Sequence, residues 1–375
     1  MSGVDAILEK RLAGGRVTPD EALVLAREGG LHALGRAAAV LRRRHAPGDA
    51  VTYLVDRNIN YTNVCITDCK FCSFYRPVGD PEAYVLPKEV IGRKIDETLA
   101  AGGTRILMQG GHNPALRLPW YEDLLGWIRK TYPALGIDAF SPSEIDHLAT
   151  LEGMPVREVL VRLKDSGLTG LPGGGGEILH DAVRGDISPK KQDAAGWLGV
   201  MREAQALGLV TTATMVIGCG EGPEHRIAHL LAVRDLQDAS LKAHGNGFTA
   251  FIPWTMQVEG NGLGKVFAVR GILPASSQDY LRHLSLCRVV LDNIDHLAAS
   301  WPTQGERVAQ IALAFGADDF GSTMLEENVV SAAGTTRVRM DVAEIHHHLR
   351  SAGWVPAQRD SRYRILKRFP RESAA

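Results

Sequence analysis

The feature of this sequence that most restricts its fold is a regular alternation of short strand-like stretches with longer helix-like stretches. We expect strands at 51–61, 104–109, 137–141, 168–171, 211–217, 247–253, 297–301 and 318–322. Helical spacing lies between them, as where Ile91, Ile95 and Leu99 share one face. Eight strand–helix units place parallel strands beside one another with helical crossovers, which suits a closed ring. The sequence therefore predicts an α/β fold of the (β/α)8 TIM-barrel type.

The two ends of the chain predict additions to this barrel. Thr18, Pro19 and Glu21 form a helix start signal, with an N-cap hydroxyl, a proline at the first position and a glutamate three residues after the cap. We expect residues 1–50 to form an N-terminal helical cap, residues 51–340 the barrel, and residues 341–375 a C-terminal helix and tail packed on it. Because the 168–171 strand is short, a six-stranded open barrel with a small C-terminal domain stays open as an alternative.

Composition argues against several classes of function. The chain has 375 residues and a formal net charge of -1, without the basic excess that is typical of nucleic-acid-binding proteins. Its first residues carry charges at short intervals, so they lack the apolar run of a signal peptide or a membrane anchor. We therefore expect a cytoplasmic protein with a small-molecule ligand and with no nucleic-acid or membrane partner.

Three of the five cysteines are crowded into one short segment. Cys65, Cys69 and Cys72 have the spacing C-x3-C-x2-C, whereas Cys219 and Cys287 are isolated. Three thiolates on one loop can bind three irons of a cubane cluster and leave the fourth iron open to another molecule. The competing interpretation is a non-catalytic zinc or iron–sulfur module. Structural zinc normally takes four ligands, and the sequence has no second cysteine or histidine pair at a suitable spacing.

Polar residues and glycines follow several of the predicted strands, where the working residues of a parallel barrel lie. The pair Gly110–Gly111 either lets backbone approach a ligand closely or forms a tight turn. Ser141 either caps the next helix, with Glu144 as its capping partner, or contacts a ligand together with Glu144. The candidates at the strand ends are Gln109, Gly110, Gly111, Ser141, Glu144, Glu177, Ser322, Thr323, Glu326 and Glu327.

The cysteine spacing, with the aromatic Phe71 directly before the third cysteine, resembles the cluster loop of the radical S-adenosylmethionine (SAM) superfamily. The resemblance implies a [4Fe-4S] cluster on Cys65, Cys69 and Cys72, and SAM bound to the fourth iron through its methionine amino and carboxylate groups. It further implies that the bound SAM is cleaved to a 5'-deoxyadenosyl radical. The residues that it assigns to SAM are Phe71, Gln109, Gly110, Gly111, Ser141, Glu144 and Glu177.

Further stretches between residues 58 and 330 are similar to the menaquinone (futalosine-pathway) and deazaflavin-precursor branch of that superfamily. Within the branch, the segments Asn58–Tyr61, Phe74–Arg76 and Thr211–Met215 most resemble the cyclic dehypoxanthinylfutalosine synthase family. Aminofutalosine synthase and the deazaflavin-precursor synthases share the cluster loop, so they stay open as alternatives.

The closest resemblance implies a specific reaction. The deoxyadenosyl radical removes the ribose C4' hydrogen of dehypoxanthinylfutalosine, and the carbon radical closes onto the benzoate ring to give cyclic dehypoxanthinylfutalosine. The adduct must then lose an electron and a proton, for which Glu326, Glu327 and Glu144 are the candidate bases. Arg76, Ser322 and Thr323 are the expected hosts of the substrate carboxylate. A reducing partner such as flavodoxin or ferredoxin is also expected.

Overall fold

The computed structural model of the protein describes residues 3–335 and 337–370. The strands are β1 (Ala50–Leu54), β2 (Asn58–Ile59), β3 (Arg105–Met108), β4 (Gly136–Ala139), β5 (Gly170–Leu171), β6 (Val210–Ile217), β7 (Phe248–Thr255), β8 (His296–Leu297), β9 (Asp319–Ser322), β10 (Val355–Arg359) and β11 (Ile365–Arg368). The helices of the first half are α1 (Gly3–Leu12), α2 (Pro19–Glu28), α3 (Leu31–His45), α4 (Lys88–Ala100), α5 (Leu118–Thr131), α6 (Pro142–Glu152) and α7 (Val156–Asp165). Those of the second half are α8 (Asp181–Ile187), α9 (Ala194–Ala206), α10 (Pro223–His244), α11 (Gly262–Arg270), α12 (Ser277–Val290), α13 (Trp301–Gln304), α14 (Glu306–Ala314) and α15 (Val342–Ser351).

The strands form two sheets, which together make up the ring. Strands β2 to β8 lie in sequence order in one parallel sheet, and the second sheet has the order β11-β10-β1-β9. The sheets meet twice, because β1 and β2 follow each other in the first predicted strand and a parallel bridge joins Ala298 to Asp319. β1 pairs with β9 in parallel, through Thr52 with Asp319 and Leu54 with Ser322. All eight predicted strands thus lie in one ring, and the predicted TIM-type α/β fold is confirmed.

The bounds of three predicted strands differ most from those observed. The stretch 51–61 is interrupted at residues 55–57, where the backbone of Asp56 binds the Thr323 side chain and the Leu325 amide instead of a neighbouring strand. The stretches 168–171 and 297–301 contain only the two-residue strands β5 and β8. Short parallel strands leave little periodicity in a sequence, so their bounds are poorly predicted.

The ends of the chain pack against the ring. At the start of α2, Thr18 accepts a hydrogen bond from the Glu21 amide and the Glu21 carboxylate accepts one from the Thr18 amide, as the capping signal predicts. α3 lies against α12. After α15, β10 pairs in parallel with β1, and β11 forms an antiparallel hairpin with β10. The division into segments 1–50, 51–340 and 341–375 stays a prediction.

The ring encloses a cavity of about 430 Å³, a size typical of small-molecule sites. Several side chains of the ring that do not line the cavity are apolar and fully buried. Among them are Val51, Ile59, Ile106, Ile137 and Phe251. Within the described ranges, no helix combines the length and apolarity needed to cross a membrane.

Candidate active site

The cavity reaches from the cysteine loop at the carboxyl ends of the strands to the opposite end of the ring. Its wall includes all three clustered cysteines at one end, and Arg105 and Arg359 at the other. Between these ends lie polar groups and two large aromatic side chains, which are Asn58, Gln109, Thr212, Thr214, Ser300, Ser322, Trp254 and Trp301. A ligand inside the ring therefore has thiols on one side and a lining of mostly uncharged groups along its length.

The cysteine loop connects β2 to α4 and is held by backbone hydrogen bonds. The Cys65 amide donates to the Arg76 carbonyl at 3.0 Å, and the Cys72 amide donates to the Cys69 carbonyl at 3.0 Å. Asp68 has a positive φ of 40°, which turns the chain so that the thiols on either side face the cavity. All three thiols are free of disulfide bonds, and burial raises the pKa of Cys69 and of Cys72. The donor set of three unpaired thiols on one loop fits an iron–sulfur cluster with one open iron.

The glycine pair after β3 brings its backbone directly against this loop. A Cβ on Gly111 would lie 2.1 Å from the Val64 carbonyl oxygen and 2.7 Å from the Cys65 Cβ. A Cβ on Gly110 would lie 2.5 Å from the ring of Tyr61. Both positions require glycine because the neighbouring chain occupies the space of a side chain, and neither glycine has a positive φ. Close approach to the protein's own chain, and not a tight turn, is therefore the reason for this pair, and the approach to a ligand stays a prediction.

Glu144 projects from the first turn of α6 into the same end of the cavity. Its Oε1 accepts hydrogen bonds from the Tyr61 hydroxyl at 2.6 Å and from the Gly110 amide at 2.9 Å. Its Oε2 accepts from the Ser141 hydroxyl at 2.8 Å. Burial raises the pKa of Glu144 to about 7, against these hydrogen bonds, which lower it. The carboxyl group therefore exchanges a proton near neutral pH, in contact with the glycine pair.

A second acidic group, Glu177, also lies in the cavity wall. Glu177 follows the glycine-rich segment after β5, is buried, and adopts a positive φ of 36°. Its Oε1 accepts a hydrogen bond from Lys191 Nζ at 3.0 Å, whereas its Oε2 accepts no hydrogen bond among the described residues and lies 3.7 Å from Nη1 of the buried Arg184. Because this buried oxygen accepts no hydrogen bond, it can accept one from a donor on a bound ligand.

Two family profiles match this chain. The Radical SAM superfamily profile matches residues 59–233, and the CofH/MqnC C-terminal region profile matches residues 245–372. The chain is 42% identical to the cyclic dehypoxanthine futalosine synthase of Halalkalibacterium halodurans, over 99% of this chain and 97% of that protein. It is 44% identical to the protein of the same name from Streptomyces coelicolor, over 96% of this chain and 88% of that protein.

The chain belongs to the radical SAM superfamily. This radical SAM enzyme is also 39% identical to a 5-amino-6-(D-ribitylamino)uracil--L-tyrosine 4-hydroxyphenyl transferase from Archaeoglobus fulgidus, over 86% of this chain and 91% of that protein. Its fold is similar to two solved structures. One is HydG, a maturase of the [FeFe]-hydrogenase, with a TM-score of 0.73 and 15% identity over 95% of this chain and 76% of that one. The other is methylornithine synthase, with a TM-score of 0.68 and 18% identity over 94% of this chain and 97% of that one.

The structure brings most of the predicted site residues of this radical SAM enzyme to one cavity. The predicted residues in its wall are Cys65, Phe71, Cys69, Cys72, Gln109, Gly110, Gly111, Ser141, Glu144, Glu177, Ser322 and Glu327. Glu327 is held by the Asn58 side-chain amide and by the Val329 and Val330 backbone amides. This arrangement leaves a fixed carboxylate at the edge of the cavity, far along the chain from the cysteines.

Three predicted residues have their side chains elsewhere. Arg76 pairs with Glu82 and donates to the carbonyls of its own loop, so it holds the cysteine loop together. The Thr323 hydroxyl bonds to the backbone of Asp56, and Glu326 pairs with Lys94. None of these three belongs to the cavity wall, because each side chain is taken up by a neighbouring segment.

Several residues of the wall were missed by sequence reasoning. Lys191 and His112 lie beside the cysteine loop, and Tyr61 contacts Glu144 from behind the wall. At the other end of the ring, Arg359 of β10 forms a two-point ion pair with the fully buried Asp319. Lys191 and Arg359 carry no local signal, since each is brought to the cavity by a segment that is distant in sequence. Tyr61 and His112 lie beside predicted residues, because Tyr61 precedes Cys65 by four positions and His112 follows Gly111.

Proposed function

We propose that this enzyme converts dehypoxanthinylfutalosine to cyclic dehypoxanthinylfutalosine in menaquinone biosynthesis. The observation that carries the proposal is similarity along nearly the whole chain to two proteins with that cyclase name, at 42% and 44% identity. The three thiols at the mouth of a cavity of small-molecule size support it. The more distant transferase relative bears a different name at 39% identity, which is why the substrate needs a direct test.

The cavity residues fit the cofactors that the superfamily uses. In the proposal, Cys65, Cys69 and Cys72 hold a [4Fe-4S] cluster, and SAM binds beside it. When bound, this pair supplies a 5'-deoxyadenosyl radical that can remove a hydrogen atom from a substrate. The backbone of Gly110 and Gly111, which packs directly against the cysteine loop, then lies beside the methionine part of SAM, with backbone groups and the Glu144 carboxyl group as its polar partners.

Four further residues of the cavity wall are the remaining SAM contacts in the proposal. Phe71 lies at the cavity wall with Lys191 Nζ 5.4 Å from its ring centre, so one face of the ring is already covered. Gln109 approaches Gly174 closely, since a Cβ there would be 2.6 Å from the Gln109 amide nitrogen. In the proposal Phe71, Gln109, Ser141 and Glu177 contact SAM. A closed lumen suits a radical intermediate because it keeps solvent and stray hydrogen donors away.

Glu327 is the proposed catalytic base. Glu326 lies outside the cavity wall, and Glu144 lies at the glycine pair assigned to SAM, which leaves Glu327 among the three candidate bases. Its three hydrogen bonds from Asn58, Val329 and Val330 hold it in place. Glu327→Gln should leave SAM cleavage intact while lowering cyclised product by about 10²-fold to 10⁴-fold. Equal loss of both would contradict the assignment.

The electron donor and the location are further parts of the proposal. A one-electron carrier protein such as flavodoxin or ferredoxin reduces the cluster, and the reaction takes place in the cytoplasm. Three free cysteines in one loop are typical of a reducing compartment, which supports this location.

The test is an anaerobic turnover with defined substrates. Reconstituted protein is incubated with SAM, a reductant and either dehypoxanthinylfutalosine or the enolpyruvyl benzoate used by aminofutalosine synthases, and products are identified by mass spectrometry. Consumption of dehypoxanthinylfutalosine alone supports the proposal, and consumption of only the other substrate contradicts it. Cys65→Ala, Cys69→Ala and Cys72→Ala should each abolish SAM cleavage, whereas Cys219→Ala is the matched control, since Cys219 is buried and does not belong to the cavity wall. A colourless zinc protein would rule out the radical chemistry.

A further inference from the structure

Two consecutive lysines follow α8, and their surroundings differ sharply. The Lys190 side chain is 57% exposed and pairs with Asp68 at the surface. The Lys191 side chain is 12% exposed, belongs to the cavity wall with Cys69 and Cys72, and stands over the Phe71 ring. One lysine therefore faces water, and its neighbour faces the proposed cluster site.

The buried lysine is positively charged. Burial disfavours its ammonium form, but the Glu177 carboxylate, which accepts a hydrogen bond from Lys191 Nζ at 3.0 Å, opposes burial, and the pKa of Lys191 lies above its ordinary value. A buried cation and a buried anion therefore lie side by side in the wall that Cys69 and Cys72 also line.

We propose that Lys191 is a positioning residue whose fixed positive charge raises the reduction potential of a cluster on the three cysteines. The fixed negative charge of Glu177 lowers that potential. This inference rests on the proposed function, since it requires the cluster. Reduction adds one electron, and hence one negative charge, to a cluster bound by thiolates. A fixed positive charge nearby stabilises the reduced form relative to the oxidised form, and a fixed negative charge does the reverse. The electron comes from the external one-electron donor.

Because Lys191 lies in a region of low dielectric constant, its charge changes the reduction potential more than the charge of a surface lysine does. Its charge is shielded from water, whereas the charge of Lys190 is solvated and screened. Phe71 and Glu177 keep the Lys191 side chain in place, so its charge does not need to reorient when the cluster is reduced.

The experiment is a redox titration of the reconstituted, SAM-free protein, followed by electron paramagnetic resonance of the reduced cluster. Four variants are compared with the wild type: Lys191→Gln, Lys191→Arg, Glu177→Gln and the matched control Lys190→Gln. At the wild-type midpoint, the ratio of reduced to oxidised cluster should fall on the order of tenfold in Lys191→Gln. It should rise in Glu177→Gln and stay near the wild-type value in Lys191→Arg and Lys190→Gln.

Opposite shifts distinguish charge from mere structural damage, which would move Lys191→Gln and Glu177→Gln in the same direction. Shifts of the same sign, or no shift in either variant, would overturn the inference. If Lys191→Gln fails to hold a cluster, Glu177→Gln decides alone, and a potential that does not rise refutes the proposal. If the wild type itself binds no cluster of about four irons, the proposed function fails as well.

Discussion

The contact between Gly111 and the cysteine loop makes Gly111→Ala the sharpest test of the site geometry. The added Cβ would lie 2.1 Å from the Val64 carbonyl oxygen, and contacts below 3.0 Å essentially never occur. The carbonyl must therefore retreat by roughly 1 Å in a tightly packed interior. Overpacking of this kind costs about 1–3 kcal/mol of stability. A displacement of about 1 Å at a reacting centre costs on the order of 10²-fold in rate.

Two measurements separate these effects. Urea unfolding of the metal-free protein reports the loss of stability, and SAM cleavage by the reconstituted protein reports the displacement of the Cys65 loop. Gly126→Ala is the matched control, because Gly126 lies inside α5 with no atom within 4 Å of the added Cβ. In the control, the free energy of unfolding should rise by up to about 1 kcal/mol, since alanine favours helices. The contact between Gly111 and the cysteine loop is contradicted if Gly111→Ala has the wild-type stability in urea and the wild-type rate of SAM cleavage.

Two further predictions concern buried charges. Burial raises the pKa of Glu144 from 4.5 to about 7, so the folded chain binds more protons than the unfolded chain between those values, and stability falls as the pH rises through this window. The loss is about 3 kcal/mol, and urea titrations from about pH 4 to about pH 8 should show it in the wild type but not in Glu144→Gln. Equal pH dependence in both proteins would contradict the burial of this carboxyl group. Arg359→Ala should lower the free energy of unfolding, measured in urea, by about 3–5 kcal/mol, because it leaves Asp319 buried without its cation. The control Arg364→Ala removes an exposed pair with Asp360 and should cost at most about 1 kcal/mol, so similar losses would contradict the difference in burial.

The strands of the ring were predictable to different extents. Val210–Ile217 and Phe248–Thr255 are eight residues long and were predicted almost completely, because long buried strands carry many apolar residues in succession. Gly170–Leu171 makes only a few ladder bonds, and a two-residue strand leaves no period to detect. The order of the strands followed from the alternation alone, whereas the insertion of β10 beside β1 did not. That pairing joins segments from the two ends of the chain, and no local pattern encodes it.

The site shows the same division between local and distant information. The cysteine spacing identified one side of the cavity, since three thiols on one loop are a local signal. Lys191 and Arg359 were not found, because a single lysine or arginine is usually a solvated surface residue. Their burial depends on partners supplied by the fold, which are Glu177 for Lys191 and Asp319 for Arg359.

The start of α6 shows how one short motif can satisfy two interpretations at once. Ser141 does cap the helix, since its hydroxyl accepts a hydrogen bond from the Glu144 amide at 3.3 Å. Glu144 does not complete the expected capping box, because its carboxylate binds Tyr61, Gly110 and the Ser141 hydroxyl and not the Ser141 amide. The cap therefore fixes where the helix begins, and the beginning of the helix directs the carboxyl group toward the glycine pair. Local capping chemistry is in this way the means by which the sequence delivers a functional group to the cavity.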